Sequence, residues 1–338
     1  MREWFDRCRF GIVTALILTL VTAYALLDVF VIPHAYESEE TKPVSVKRVT
    51  TNETAESKPT PSGGATENSG TGENGENSDL TESGNSSTIQ EESKEPVITE
   101  NSYKDENISI VISQYRVNET DVYVADVTVS SPEYLYSALA KETYGRNVKE
   151  ETSEIAQRAG AILAINGDFY GARSYGYVIR NGVLYRSKSS KNEDLVMYKS
   201  GLFGIINETE VTAEQLLEQG ATQVWSFGPA LIQDGMISVG KRQEVGQAMA
   251  SNPRTAIAQA GQNHYLFVVA DGRTSASDGL TLYELAQFLQ TLGVQTAYNL
   301  DGGGSSTMVF MGEVVNKPTT GGSKISERSV SDIVCIGY

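Results

Sequence analysis

Cysteine and histidine are almost missing from this 338-residue chain, with two of each. Cys8 precedes an N-terminal apolar run and Cys335 lies in the last apolar stretch, so a disulfide would have to join opposite sides of a membrane. Neither belongs to a CxxC pair, which leaves Cys335 as a small core residue. His34 follows the apolar run and His264 sits in a turn after Gly261-Gln262-Asn263. Neither has a neighbouring Ser or Cys in a nucleophile elbow. Ser-His-Asp catalysis, Cys-His catalysis and a His-rich zinc site are therefore poorly supported. No glycine-rich loop ends in Gly-Lys-Ser/Thr, which removes a Walker A nucleotide site. No internal repeat of useful period is present.

Aromatic residues are absent from 37–102, a stretch dominated by Glu, Ser, Thr, Asn, Gly and Pro. Such a composition cannot bury enough apolar surface to offset the entropy of ordering, and predicts a disordered linker over 34–102. It holds 14 acidic and five basic residues, more than half of the chain's net charge of −16. Basic excess is lacking everywhere else too, so nucleic acid is not an expected partner. The remainder, 103–338, is long enough for one large domain.

The only long hydrophobic run is at the start. Phe10 to Leu27 carries no charge, follows Arg2, Arg7 and Arg9, and continues past Asp28 to Pro33. That pattern predicts a cytoplasmic N-terminus and transmembrane anchor over 1–33, with the rest of the chain extracytoplasmic at the cell membrane. Ala23-Tyr24-Ala25 offers an alternative cleavage site that would make the product secreted.

In the domain, Ile108, Ile110 and Ile112 alternate with polar residues, and Val122, Val124, Val127 and Val129 continue the pattern, so these two stretches should pair antiparallel. A helix is expected from a cap at Asn147 and Glu150 to Ala159, ended by Gly160. A buried strand then leads through Ala161–Ile165 to Asn166-Gly167-Asp168. Asn181-Gly182 marks a hairpin. Residues 212–219 read as a short helix, and 255–259 should pair with 265–270. The clearest helix covers 281–292, with Thr281 and Glu284 as a capping box and Leu282, Leu285, Ala286, Leu289 and Leu292 on one face. Many strands and few helices predict an α+β domain around a mixed β-sheet with flanking helices.

With histidine and cysteine excluded, chemistry must come from carboxylates, amides, arginines and backbone. They gather at strand ends. Asn299-Leu300-Asp301-Gly302-Gly303-Gly304-Ser305-Ser306-Thr307-Met308 sets an amide and a carboxylate before three glycines and three hydroxyls, groups suited to a phosphate oxygen or a sugar hydroxyl. Asn166-Gly167-Asp168 repeats the design, and Asp271-Gly272-Arg273 is a third case, although Asp-Gly is also ordinary turn chemistry. Arg254 and Arg328 are candidate phosphate forks. Glu284 is explained by its helix cap.

These residues resemble the phosphodiester glycosidase family. The resemblance rests on Ala164–Tyr170, Phe227–Leu231, Asn252–Ala256, Asp271–Arg273, Gly279–Ala286, Asn299–Met308 and Glu327–Val330, seven short stretches in order over roughly 140–338. It implies hydrolysis of a sugar-1-phosphodiester at the anomeric carbon, in a carbohydrate or surface glycopolymer. Asp301 would face the sugar, with Asn166 and Asn299 orienting it. Arg254, Arg328 and the amides of Gly302, Gly303 and Gly304 would bind phosphate, with Ser305 beside them. Asp168 and Asp271 are candidates for a second carboxylate. The best-studied members commonly have a second glycine where Asp168 stands, which favours Asp301. No cofactor is required by the sequence, and a divalent cation is compatible with it. Two other readings use the same groups: a metal-dependent phosphodiesterase splitting the P–O bond, and a non-catalytic glycan-binding wall protein. Oligomeric state is not legible.

Overall fold

Apolar side chains alternate along most strands of the domain, and the two sets of alternating residues feed different cores. The computed structural model describes residues 2–36, 95–241, 250–321 and 324–338. The stretch expected to be a linker falls, from 37 to 94, outside the described residues; Val97–Ile98 already pairs with Ser102–Lys104, ahead of position 103.

A nine-stranded sheet dominates. Its order is Met236–Ile237, Ala230–Gln233, Thr296–Asn299, Arg254–Gly261, His264–Ala270, Thr120–Val129, Ile108–Val117, Ser102–Lys104 and Val97–Ile98. One five-stranded sheet runs Glu313–Val314, Met308–Phe310, Leu163–Asn166, Asp332–Ile336 and Leu135–Leu139. The other runs Val183–Arg186, Val178–Arg180, Ala221–Trp225, Glu193–Tyr198 and Phe203–Asn207. The α+β class holds, and within it the named strands of these sheets pair antiparallel throughout.

The inner faces of all three sheets share one core. Ile108, Ile110, Ile257, Phe267 and Tyr298 come from the large sheet, Leu163, Ile165, Val334 and Ile336 from the second, and Leu195, Met197 and Trp225 from the third. Each outer face is covered by a helix. Four α-helices are described: α1 (Arg2–Phe30), α2 (Thr152–Ala159), α3 (Ala213–Glu218) and α4 (Leu282–Thr291). The residues of alternate register, Val124, Ala256, Ala258, Leu266 and Val268, pack under Leu282, Leu285, Ala286 and Leu289 of α4. In the same way α2 covers Ala164, Ile333 and Cys335, and α3 covers Val196 and Val224. A period of two along a strand therefore decides which layer each residue joins.

The expected pairing of 108–112 with 122–129 is present, and the hairpin turns at Asn181-Gly182. Helices α3 and α4 begin at Thr212 and Thr281, each with its reciprocal capping box. The start of α2 differs. Its cap is Glu151, which exchanges bonds with Glu154, while Asn147 has a φ of 59° and sends its amide to the carbonyls of Val29 and Ile32. Glu150 is drawn off to Arg158 and the Lys141 amide. The expected transmembrane anchor is not supported. No helix among the described residues is long and apolar enough to cross a membrane.

Candidate active site

The large sheet and the second sheet meet at one buried amide. Asn166, at the end of its strand, donates from Nδ2 to the Asp301 carbonyl at 2.6 Å. Its Oδ1 accepts from Thr255 Oγ1 at 2.8 Å and from the Thr307 amide at 3.3 Å. The Asp301 amide in turn donates to the Gly167 carbonyl at 3.2 Å. Three strand ends and the glycine loop are thus tied together, and Asn166 orients the loop with its own hydrogen-bonding capacity spent inside the protein.

Asp301 follows directly, 8% exposed. Its Oδ2 accepts from Ser305 Oγ at 2.6 Å and from Arg328 Nη2 at 3.0 Å. Burial raises the Asp301 carboxyl above the usual carboxylate range, and the charge of Arg328, the Ser305 hydroxyl and the charge of Arg173 act against that rise. Arg328 also bonds the Gly302 carbonyl and Ser305 Oγ, so its fork fixes both the acid and the loop behind it.

Cations close around the three glycines. A Cβ on Gly302 would lie 2.9 Å from the Pro253 carbonyl and 3.9 Å from Arg254 Cδ; one on Gly303, where φ is 64°, would lie 3.0 Å from Arg273 Nη2; one on Gly304 would lie 3.4 Å from Arg328 Cδ. Glycine is needed at 303 for its positive φ and the Arg273 guanidinium, at 302 for the Pro253 carbonyl, and at 304 for Thr320 Oγ1 at 3.0 Å and the Thr319 carbonyl at 3.2 Å. Arg254 is buried and donates to the carbonyls of Leu280 and Ala250. Burial, and then the nearby charge of Arg273, push it down to about 10. Two like charges are thus held near one another beside the loop. The Gly303 amide is not part of that cradle, because it donates to the Pro253 carbonyl at 2.9 Å.

The remaining expected residues serve elsewhere. Asp168 lies beside the site but both its oxygens are occupied. Oδ1 takes the Tyr170 amide at 2.9 Å, and Oδ2 takes Arg180 Nη2 at 2.8 Å and the Ser226 amide at 3.1 Å. Arg180 also holds Asp332 through Nε at 2.7 Å, and all three side chains are at most 1% exposed. Two acids on one cation leave a surplus negative charge; burial, against the pull of Arg180, pushes Asp332 up to about 7. Asp168 thus belongs to a buried charge cluster that anchors the loop after Asn166. Asp271 is likewise engaged, by Asn316 Nδ2 at 2.9 Å and the Lys317 amide at 3.0 Å. It clamps a loop and is not directed at Asp301. Asn299 Nδ2 donates to the Gly228 carbonyl at 2.8 Å, and its buried Oδ1 has no partner among the described residues.

Two cations were not singled out as ligands from the sequence. Arg273 was visible inside the Asp271-Gly272-Arg273 stretch, but only its acid drew notice; Asn252 Oδ1 holds its guanidinium at 3.0 Å. Arg173 had no local signal, and it stands by Asp301 through the turn at Tyr170–Ala172. Among the described residues no group of three or more His, Cys, Asp or Glu side chains is placed to hold a metal ion.

The family model for phosphodiester glycosidase matches residues 159–337, which is more than half of the chain. The chain belongs to the phosphodiester glycosidase family. The match takes in Asn166, Arg254, Asp301 and Arg328, which the fold brings to the same loop. Among curated proteins, the SPbeta prophage-derived protein YomE of Bacillus subtilis (strain 168) is 27% identical over 259 residues, covering 69% of this chain and 39% of that protein. The N-acetylglucosamine-1-phosphodiester alpha-N-acetylglucosaminidase of Mus musculus is 29% identical over 206 residues, covering 54% of this chain and 39% of the relative. The chain therefore spans about two fifths of the length of these relatives. Among solved structures, the catalytic domain of the zebrafish N-acetylglucosamine-1-phosphodiester alpha-N-acetylglucosaminidase, auto-inhibited by its pro-peptide, shares the fold, with a TM-score of 0.55 at 23% identity over 68% of this chain and 83% of that one. A hypothetical protein from Synechocystis aligns with a TM-score of 0.51 at 16% identity, over 69% of this chain and 62% of that one.

Proposed function

We propose that the domain hydrolyses a sugar-1-phosphodiester at the anomeric carbon, releasing the sugar and leaving a phosphomonoester on the other alcohol. The observation that carries this reading is the pairing of one buried carboxyl, Asp301, with Arg328, beside a glycine loop that Arg254 and Arg273 also flank. A phosphate leaving group has a second pKa near 6, so its departure needs far less protonation than that of an alkoxide. The demands on the protein are then modest: neutralise the phosphate, stabilise an oxocarbenium-like centre and position water. Arg254, Arg273 and Arg328 fit the first task. Ionised Asp301 fits the second and accepts a proton from the attacking water. The relatives named for N-acetylglucosamine-1-phosphodiester cleavage support the bond type, and the sugar of this chain's substrate is open to a product screen.

On the same reading the domain works outside the cytoplasm. The basic start, the apolar run and Ala23-Tyr24-Ala25 have the order of an export signal. A surface glycopolymer with phosphodiester links is the substrate class this placement suggests.

Asp301→Asn tests the chemistry, with turnover of a sugar-1-phosphodiester measured beside a thermal melt. A folded, inactive variant is expected, and near-normal turnover removes Asp301 from the mechanism. Hydrolysis in heavy-oxygen water identifies the broken bond. Label is expected in the sugar; label in phosphate makes the domain a phosphodiesterase that splits P–O.

A further inference from the structure

Beside the candidate site lies a cleft of about 440 Å³, within the range of ligand pockets, which Asp301 and the glycine loop do not line. Its wall carries four cations: Arg146, Arg173, Arg186 and Lys188. None of them forms an ion pair with a carboxylate among the described residues. The hydrogen bonds of the three arginines go instead to backbone carbonyls. Arg186 is buried and donates to Gly176, Tyr170 and Arg173, Arg173 donates to Ser226, and Arg146 donates to Val29. Carbonyls orient a guanidinium without cancelling its charge, so the cleft keeps an unneutralised positive field in a domain whose chain is strongly acidic. Tyr36, half exposed, supplies an aromatic edge of the kind that stacks on a sugar face, backed by Tyr144 at 6.2 Å between ring centroids.

The cleft is continuous in sequence with the site. The segment leaving Asn166 passes Gly167, which accepts the Asp301 amide, and ends at Arg173, which lines the cleft and acts electrostatically on Asp301. We propose that this cleft is a second anion subsite, which holds one phosphodiester of a repeating sugar phosphate chain while another is presented to Asp301. The proposal rests on the glycosidase reading above and narrows it from any sugar-1-phosphodiester to a polyanionic one.

The test uses the full chain and the double variant Arg146→Gln/Lys188→Gln, which leaves Asp301, its arginines and the buried Arg186 intact. Two substrates are compared, one with a single phosphodiester and one with several repeats, and tripolyphosphate binding is followed by calorimetry. The variant should raise KM for the repeating substrate by about tenfold, as expected for losing two charge-assisted contacts, with kcat and the single-phosphodiester KM unchanged. Tripolyphosphate should bind the parent chain and Asp301→Asn alike, and the double variant at least several-fold more weakly. Equal KM changes on both substrates, or none on either, overturn the subsite while leaving the glycosidase reading intact. If the parent chain turns over neither substrate, the glycosidase reading fails, and the polymer assignment fails with it. Loss of binding to phosphatidylglycerol vesicles in the variant, with polymer kinetics unchanged, also overturns the proposal and assigns the cleft to a lipid surface.

Discussion

Replacing Arg180 with Met isolates the cost of the buried charge cluster. Arg180 lies 1% exposed between Asp168 and Asp332, and also donates to the carbonyls of Ile179 and Val224. Methionine fills comparable space but returns no charge. Burial holds the Asp332 carboxyl well above the usual carboxylate range even with Arg180 beside it. The second carboxyl would then be buried without a counter-ion and would have to take up a proton. Starting from an ordinary aspartate pKa of about 3.9, protonation at pH 7 costs about 4 kcal/mol, at 1.4 kcal/mol per pH unit. Loss of the carbonyl contacts adds to this, so a deficit of about 4–5 kcal/mol is expected at pH 7. At pH 5 the protonation term falls to about 1.5 kcal/mol. Denaturant unfolding of both proteins at pH 5 and pH 7 measures the two deficits. The gap should narrow on acidification. If Arg180→Met loses the same stability at both pH values, the cluster's worth is packing and hydrogen bonding, and the charge argument is wrong.

Arg328→Gln should lower kcat/KM for a sugar-1-phosphodiester by about 10–100-fold, since it removes both the proposed phosphate contact and the cation holding Asp301 down. The acid limb of its pH–rate profile should move up by about one unit, because Asp301 loses an opposing charge; an unmoved limb would detach Asp301 from that limb. Gly303→Ala meets both a positive φ and Arg273 Nη2 at 3.0 Å. It should cost about 1–2 kcal/mol of stability and reduce turnover, read by melts and steady-state rates. Asp194 is fully buried, and burial followed by the charge of Glu208 raises its carboxyl well above normal. The folded state therefore binds this proton more tightly than the unfolded state, and stability falls as pH rises from about 4 toward the folded value. Asp194→Asn carries no such proton and should gain on the parent with rising pH; an identical difference in melting temperature at pH 5 and pH 8 would refute this.

Strands and helix starts were legible where local chemistry is self-sufficient. Alternation named the 108–129 hairpin, Asn181-Gly182 named a turn, and the capping boxes at Thr212 and Thr281 named two helix starts. The α2 start was not, because Asn147 and Glu150 were claimed by partners far along the chain, Val29 and Ile32 in one case and Arg158 in the other. At the site, Asp301, Arg254 and Arg328 could be found because glycines and arginines flanked strand ends. The fate of Asp168 could not. Its role is decided by Arg180, twelve residues later, and by Asp332 in the last strand, and no local pattern announces a buried triad. Arg273 was hidden beside a more conspicuous acid, and the charge-rich cleft needed Tyr36, Arg146 and Lys188 to be brought together by folding.

Asn166 joins two sheets through a primary amide, a group with no proton to gain or lose across the range in which proteins survive. The seam it closes is therefore indifferent to acidity, and insensitive to salt as well. Changes of pH act on Asp301 and on the triad behind it while the backbone that carries them stays in register. An Asn166→Asp exchange would end that separation, making the same buried bond respond to the medium that is meant to adjust only the chemistry.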